Sequence, residues 1–332
     1  MTTAGADGAR GPARAAEARA RRRVRLQLRL FRAGERAAAT LPHRAVYAGA
    51  ALAGGAALRL RPHRFDGLRA NLRRVLPDAS EAEFDRVVRA NVRNLARSWA
   101  DVLEMPYHSR AMAERVHPVS VENMTRHLDA GRGVVIVSLH LGMWEVGIAG
   151  WNYRFGRMAL LAESLRPAEL FDHIVASRES MGVTVIPIDT HGMRDADPAT
   201  ARRLGASAIR EVMRVLRRPG MVAMAMDRDL IGNGTPMPFF GADAPIPVGV
   251  VDIAMRTGAA LVPVVLLRSG RDHRDVIAPC YPAVEYDTTA PDRAAEVRRV
   301  AAEILRTFET VIREHPDQWH VLDPLWPAEA AA

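Results

Sequence analysis

The feature that most limits how this chain can fold is an uninterrupted apolar run at residues 134–138, Val-Val-Ile-Val-Ser. It lacks the alternation of a strand with one face in water, and its β-branched residues favour a strand buried on both faces. Four comparable runs follow, with helix-compatible stretches between them. Strand and helix in alternation predict an α/β fold with a mostly parallel central sheet flanked by helices.

The predicted elements follow from these patterns. We predict strands at residues 134–138, 158–162, 183–188, 221–226 and 260–267, separated by helices at 144–154, 168–181, 199–217 and 248–257. Earlier helices are predicted at residues 68–76 and 81–103. Ser80 and Glu83 have the spacing of a capping box at the start of the second.

The chain divides into four parts. Residues 1–23 form an arginine-rich arm, either disordered or bound to a surface, and its first nine residues are expected to be disordered. Residues 24–115 form a helical, membrane-associating section, and residues 116–327 form the α/β catalytic body. Residues 328–332 are a tail. Within the body, residues 190–200 are expected to be an exposed insertion.

The positive charge of the chain is confined to one segment. Residues 10–36 contain ten arginines and two acidic residues, Glu17 and Glu35, so the net charge of this segment is +8. The whole chain also has a net charge of +8, so the remainder is neutral. Leu26 and Leu30 lie among these arginines. A basic and partly apolar segment on a neutral body indicates contact with an anionic surface, either phospholipid or nucleic acid.

No segment has the pattern of a membrane span or a signal peptide. The longest uncharged stretch, residues 45–58, is shorter than the ~20 apolar residues that cross a bilayer, so an interfacial or packed helix is expected. A basic region leading into an apolar core and a small-residue cleavage site is absent from the sequence. We therefore expect a peripheral or monotopic protein on the cytoplasmic face of the plasma membrane.

Several polar residues directly follow predicted strands. His140 follows the first strand, Glu163 the second, and Asp227 and Arg228 the fourth. Because ligands of open parallel sheets bind at the carboxyl ends of the strands, these residues are candidates for one site. Glu145 lies five positions after His140. The two can face one cleft if His140 lies just outside the helix that contains Glu145.

A histidine beside a carboxylate can act as a general base. Histidine can take a proton from an alcohol near neutral pH, and the carboxylate fixes its tautomer and stabilises the imidazolium. The alternative is structural, with His140 capping the strand and Glu145 solvated. Arg178 comes from the helix between the second and third strands. It either acts in the site directly or forms a structural ion pair with Asp227.

Residues 232–247 are rich in glycine and proline, which predicts an irregular loop. Phe239 and Phe240 in this loop are either apolar lips over a site or anchors that fold the loop onto the core. Both interpretations remain open from the sequence.

Other chemistries lack their motifs. The single cysteine, Cys280, excludes an intramolecular disulfide framework and a multi-cysteine zinc site. The chain contains no nucleophile elbow, His-Glu-x-x-His metal motif, Walker loop or dinucleotide-binding glycine pattern. We expect no metal and no bound cofactor.

Five blocks in this order resemble the late lipid A acyltransferases and their actinobacterial relatives, the phosphatidylinositol mannoside acyltransferases. The blocks are His140 to Glu145, Glu163 to Pro167, Arg178 ahead of Met181-Gly182, Asp227 to Leu230, and Phe239 to Gly241. The segment His315 to His320 also matches, and the similarity runs from about residue 26 to 327.

The resemblance implies a glycerolipid-type acyltransferase that moves a fatty acyl chain from a thioester to a sugar hydroxyl. It implies His140 as general base and Glu145 as its orienting partner. It places the remaining residues around donor and acceptor, namely Glu163, Arg178, Asp227, Arg228, Phe239 and Phe240. The implied donor is acyl-CoA, with acyl carrier protein as the alternative. The implied acceptor is a glycolipid, phosphatidylinositol mannoside first, with a lipid A precursor or a lysophospholipid as alternatives.

Two other classes of function remain as alternatives. A nucleic-acid-binding protein would use the arginine-rich arm, but the charge is confined to that arm, no aromatic residues interleave with basic ones elsewhere, and His140 and Glu145 are left without a purpose. A catalytically inactive membrane scaffold would likewise leave both residues unexplained. We therefore expect an anionic membrane surface, and no nucleic acid, as a partner.

Overall fold

A computed structural model of the chain describes residues 10–156, 158–229, 231–270 and 272–326. The predicted disorder of residues 1–9 and the predicted tail at 328–332 lie outside the described residues.

The first part of the described chain is helical, as predicted. Its α-helices are α1 (Arg10–Thr40), α2 (His43–Leu60), α3 (Asp66–Val75) and α4 (Glu81–Ala113). Helix α1 continues past residue 23, so the chain does not change conformation at that predicted boundary. The predicted capping box is present, because the Ser80 hydroxyl accepts from the Glu83 N–H and the Glu83 carboxylate accepts from the Ser80 N–H.

Helix α4 is longer than predicted. The sequence pattern ended it at residue 103, but it runs to Ala113 through Pro106, with non-helical backbone at His108. Proline removes one helical hydrogen bond and crowds the preceding turn, which accounts for a bend rather than an end at this point. In the described residues, no helix combines the length and the apolar character that crossing a membrane requires.

The rest of the chain alternates between strands and helices. The strands are β1 (Val116–Val119), β2 (Val134–Ser138), β3 (Met158–Glu163), β4 (Thr184–Ile188), β5 (Met221–Ala225), β6 (Thr235–Phe239), β7 (Ala242–Ile246), β8 (Ala260–Pro263), β9 (Leu267–Ser269) and β10 (Asp275–Pro279). The helices are α5 (Glu122–Asp129), α6 (Trp144–Phe155), α7 (Ala168–Ser180), α8 (Thr190–Asp195), α9 (Pro198–Leu216), α10 (Gly249–Thr257) and α11 (Arg293–Glu314).

The predicted α/β fold is confirmed. The central sheet has the order β4-β3-β5-β2-β8, and each neighbouring pair is parallel. Strand β2 is buried on both faces, because Val135 and Val137 pack in one apolar cluster and Val134 and Ile136 in another. All five strands therefore present their carboxyl ends at one edge, which is the edge that the sequence assigned to the candidate site.

The last predicted strand, at residues 260–267, divides into two. Strand β8 belongs to the central sheet, whereas β9 pairs with β10 in a smaller sheet that also contains β1. Val264 marks the change of partner, since its N–H bonds to Val137 of β2 while it also bridges to Cys280. Sequence periodicity does not register a change of strand partner, which explains the single predicted run.

The prediction of an irregular loop at residues 232–247 is wrong in its main part, because β6 and β7 form an antiparallel hairpin. In a two-stranded ribbon, alternate N–H groups point away from the partner, so proline is tolerated there. Pro236 opposite Pro245 occupies such a position. The turn is Phe240-Gly241, with φ of 50° and 79°, the two positive values of a type I′ turn.

The expected exposed insertion at residues 190–200 is helical. It forms α8 and the first turn of α9, with Asp189 and Asp197 as the N-caps. Thr190 is completely buried and bonds to Glu163, so the segment begins against the candidate site rather than on the surface.

Candidate functional site

His140 and Asp227 form a hydrogen-bonded pair at the carboxyl edge of the sheet. Strands β2 and β5 are neighbours, so the residues that follow them lie side by side. The His140 Nδ1 lies 2.9 Å from Asp227 Oδ1, and the His140 backbone N–H donates to Asp227 Oδ2 at 2.9 Å. The indole Nε1–H of Trp319 also donates to Oδ2, at 2.9 Å. One carboxylate thus receives donors on both of its oxygens.

The surroundings favour the charged form of Asp227. Burial by itself opposes ionisation, but His140 and the hydrogen bonds from His140 and Trp319 outweigh it and hold the pKa of Asp227 below its ordinary value. Because a carboxylate accepts hydrogen bonds, Nδ1 of His140 is assigned the proton and Nε2 carries the lone pair. The His140 side chain is 31% exposed, whereas Asp227 is fully enclosed. The imidazole is therefore partly accessible to a ligand, whereas the carboxylate is not.

The structure corrects the predicted partners of His140 and Asp227. Glu145 lies in the first turn of α6, is buried, and binds Arg178 through both guanidinium Nε, at 3.1 Å, and Nη2. The carboxylate on His140 is Asp227 instead, and Arg178 does not pair with Asp227. The reason is the strand order, since β5 directly beside β2 brings Asp227 to the imidazole while Glu145 turns toward α7.

Glu163 and Arg228 form a second polar group at the same edge. Glu163 accepts from the Thr190 hydroxyl at 2.6 Å and from Arg228 Nη1 at 3.4 Å, and Arg228 Nη2 bonds to Asp323 at 2.7 Å. Both side chains are partly exposed. They can therefore contact a ligand while they hold each other in place.

Phe239 and Phe240 are buried, which agrees with the interpretation that they anchor their segment onto the core. Their rings pack against those of Trp319 and Trp326, at ring-centroid distances between 6.0 and 6.3 Å. In the structure they support the aromatic residue that bonds to Asp227, and they do not form exposed lips.

The segment Gln318 to His320 completes the site, and sequence reasoning missed this role. It lies antiparallel to the residues after β2, with Leu141 bridging Trp319, the Gly142 N–H bonding to the Gln318 carbonyl at 2.8 Å, and the His320 N–H bonding to the His140 carbonyl at 2.8 Å. The sequence signal that this segment matters was its match to the family resemblance. Nothing in the sequence indicated that it would pair beside His140.

His320 is a buried neutral imidazole behind the pair. Its Nδ1 bonds to Asn91 Oδ1 at 3.0 Å, and burial lowers its pKa to about 3. An unfolded histidine takes up a proton near pH 6.5. Between those two values the unfolded chain binds more protons, so stability should fall as the pH drops, by up to about 1.4 kcal/mol per pH unit.

We expect His320→Gln to flatten this dependence, because glutamine does not titrate. The test is the unfolding free energy of both proteins between pH 7.5 and 4.5, in a detergent without charge. Identical slopes for wild type and variant would contradict the assignment.

Two further observations bear on the chemistry. Burial raises the pKa of the Cys280 thiol to about 12, so it is not a thiolate nucleophile. Within the described residues, no three histidine, cysteine, aspartate or glutamate side chains converge as a metal site requires.

Comparison with known proteins identifies the class of this chain as an acyltransferase. Residues 20–327 match the family model described as bacterial lipid A biosynthesis acyltransferase, so the chain belongs to this family. A phosphatidylinositol mannoside acyltransferase of Mycolicibacterium smegmatis is 31% identical over 264 residues, which cover 79% of each chain. One of Mycobacterium tuberculosis is 31% identical over 265 residues, 79% of this chain and 77% of the relative. The predicted family resemblance is confirmed.

Proposed function

We propose that this acyltransferase transfers a fatty acyl chain from acyl-CoA to a sugar hydroxyl of a glycolipid, with His140 as the general base. Phosphatidylinositol mannoside is the acceptor that we favour, because the two relatives above carry it in their names. The observation that supports the mechanism is the contact of His140 Nδ1 with the buried Asp227, which leaves Nε2 free on an accessible imidazole.

The proposed reaction has two proton transfers and no covalent enzyme intermediate. Nε2 takes the proton of the acceptor hydroxyl as its oxygen attacks the thioester carbonyl, and Asp227 stabilises the imidazolium. The tetrahedral intermediate then breaks its carbon–sulfur bond. The thiolate of CoA leaves and takes the proton from Nε2, which restores the neutral imidazole. The products are the acylated sugar and free CoA.

The function is tested with purified protein, radiolabelled palmitoyl-CoA and a panel of acceptors. The panel contains mannosylated phosphatidylinositol, a lysophospholipid and a lipid A precursor, and palmitoyl-loaded acyl carrier protein is a second donor. We expect transfer to the mannoside from CoA. Transfer only to another acceptor, or only from the carrier protein, would replace that part of the proposal. A wild type that acylates nothing with either donor would contradict the proposal as a whole.

We further propose that helix α1 binds the cytoplasmic face of an anionic membrane. Its side chains Leu26 and Leu30 are 56% and 64% exposed and lie one turn apart on the same face. Exposed arginines surround them, including Arg22 and Arg29. Exposed leucines among arginines suit the boundary between headgroups and acyl chains, where each well-placed arginine contributes about 1 kcal/mol.

Replacing four exposed arginines of α1 by glutamine should weaken binding to anionic vesicles by about two to three orders of magnitude. The set is Arg22, Arg23, Arg25 and Arg29. The control variant changes four exposed arginines of α4 and α11 that are distant in sequence, namely Arg86, Arg89, Arg298 and Arg306. Cosedimentation with vesicles containing phosphatidylinositol measures both. Equal losses in the two variants would indicate a net-charge effect and would contradict a binding role for α1.

A further inference from the structure

We propose that Trp319 is a positioning residue of the reaction: its indole N–H holds the Asp227 carboxylate in the orientation that bonds to His140. The inference rests on the proposed role of His140 as the base. Trp319 lies 92 residues after Asp227 in the chain and is completely buried.

The geometry gives the indole a specific task. Asp227 Oδ1 accepts from the imidazole, so the carboxylate can keep that orientation only if Oδ2 is also fixed. Oδ2 accepts from the His140 backbone N–H and from the Trp319 indole, both at 2.9 Å. The backbone donor moves with His140 itself. The indole is the donor that ties the carboxylate to a different part of the chain.

Trp319 is itself held in place on several sides. Asn91 donates to the Trp319 carbonyl at 2.8 Å and to the Pro316 carbonyl at 2.9 Å, so helix α4 fixes the backbone of this segment. The backbone of Trp319 bridges Leu141, and its ring packs against Phe239 and Phe240. A side chain that is fixed in this way can impose its orientation on Asp227.

The indole also sets how basic the carboxylate is. A hydrogen bond to a carboxylate stabilises its charge, so the Trp319 bond helps to keep Asp227 ionised beside Nδ1. Without this bond, the carboxylate would be held less firmly against Nδ1 and would stabilise the imidazolium less. His320 directly follows Trp319, and burial lowers its pKa to about 3, which keeps it neutral in the assay range.

Trp319→Phe removes the N–H and keeps an aromatic ring. We expect kcat to fall about 10- to 100-fold, as for other lost bonds to a charged group. KM should change less than twofold, because the completely buried Trp319 side chain is not exposed to a ligand. The acid limb of the kcat/KM profile should move to lower pH, since a carboxylate that is held less firmly against Nδ1 stabilises the imidazolium less.

Trp326→Phe is the matched control. Trp326 belongs to the same aromatic cluster, and its buried Nε1 has no hydrogen-bond partner. The variant should therefore keep the wild-type kcat and pH profile, while both variants lose a similar amount of packing. If Trp319→Phe lowers activity no more than Trp326→Phe does, or lowers it without moving the acid limb, Trp319 only fills space and the proposal is overturned.

A second measurement does not depend on the folding of Trp319→Phe or on activity. The Trp151 indole also donates a hydrogen bond, to Met124 Sδ at 3.2 Å, so its resonance serves as an internal reference. In the wild type, the Trp319 indole N–H should show a hydrogen-bonded NMR shift and slow hydrogen exchange. In Asp227→Ala that resonance should move and exchange faster. An unchanged set of indole resonances would overturn the proposal. Failure of the proposed function would appear separately, as a wild type that transfers no acyl group.

Discussion

Replacing His140 by alanine is expected to lower acyl transfer by about 10²- to 10⁴-fold, the range that one general base contributes. Its side chain is 31% exposed, and Asp227 occupies its Nδ1, so Nε2 is the nitrogen left to act as base. The loss should appear in kcat, measured with palmitoyl-CoA and the preferred acceptor, and folding should be retained. An alanine variant that keeps more than a tenth of the wild-type rate would exclude His140 as the base.

The partner of His140 is tested by comparing two carboxylates. Asp227→Asn should lower kcat by about two orders of magnitude, because the neutral amide no longer stabilises the imidazolium. Glu145→Gln should have a much smaller effect on kcat, since Glu145 bonds to Arg178 and not to the imidazole. The opposite order would restore Glu145 as the orienting partner, which is the role that the family resemblance implied.

The sequence predicted the class of fold because the class depends on local patterns. The run at β2 has the apolar continuity of a buried strand, and the capping box at Ser80 marks the start of α4. The position of His140 after a strand also follows from the local pattern. These features need no knowledge of which strands become neighbours.

The partners within the site depended on information that local patterns lack. Asp227 meets His140 because β5 lies beside β2, and Trp319 joins them because a segment near the end of the described chain pairs with Leu141. The spacing of His140 and Glu145 suggested a direct pair, but the partner of Glu145 is Arg178 of α7. Strand order and long-range pairing decide such contacts, and one sequence does not reveal either.

The prolines of β6 and β7 show a different limit. Proline and glycine at high density usually indicate a loop, yet here they occupy the outward positions of a two-stranded ribbon and its turn. The two phenylalanines were ambiguous for the same reason, because a hydrophobic pair in a loop can face either a ligand or the core. Their burial against Trp319 links the hairpin to the position of Asp227.

The buried pair of Glu145 and Arg178 should be required for stability. Both side chains are about one tenth exposed or less, and their contact is bidentate. Arg178→Met would leave a buried carboxylate without its cation, which typically costs about 3–5 kcal/mol. Urea unfolding of the wild type and the variant in the same detergent measures this loss.

A double variant separates the structural role of the pair from a role in substrate binding. Glu145→Leu together with Arg178→Met removes both charges and keeps apolar volume, so it should regain most of the stability that Arg178→Met loses. If the pair is structural, the double variant also regains most of the transfer rate, because the hydrogen bonds of His140 and Asp227 do not involve either side chain. If stability returns while KM for the donor or acceptor remains at least tenfold higher, then Arg178 or Glu145 binds substrate directly. If stability does not return, the charges themselves are needed to hold α6 against α7.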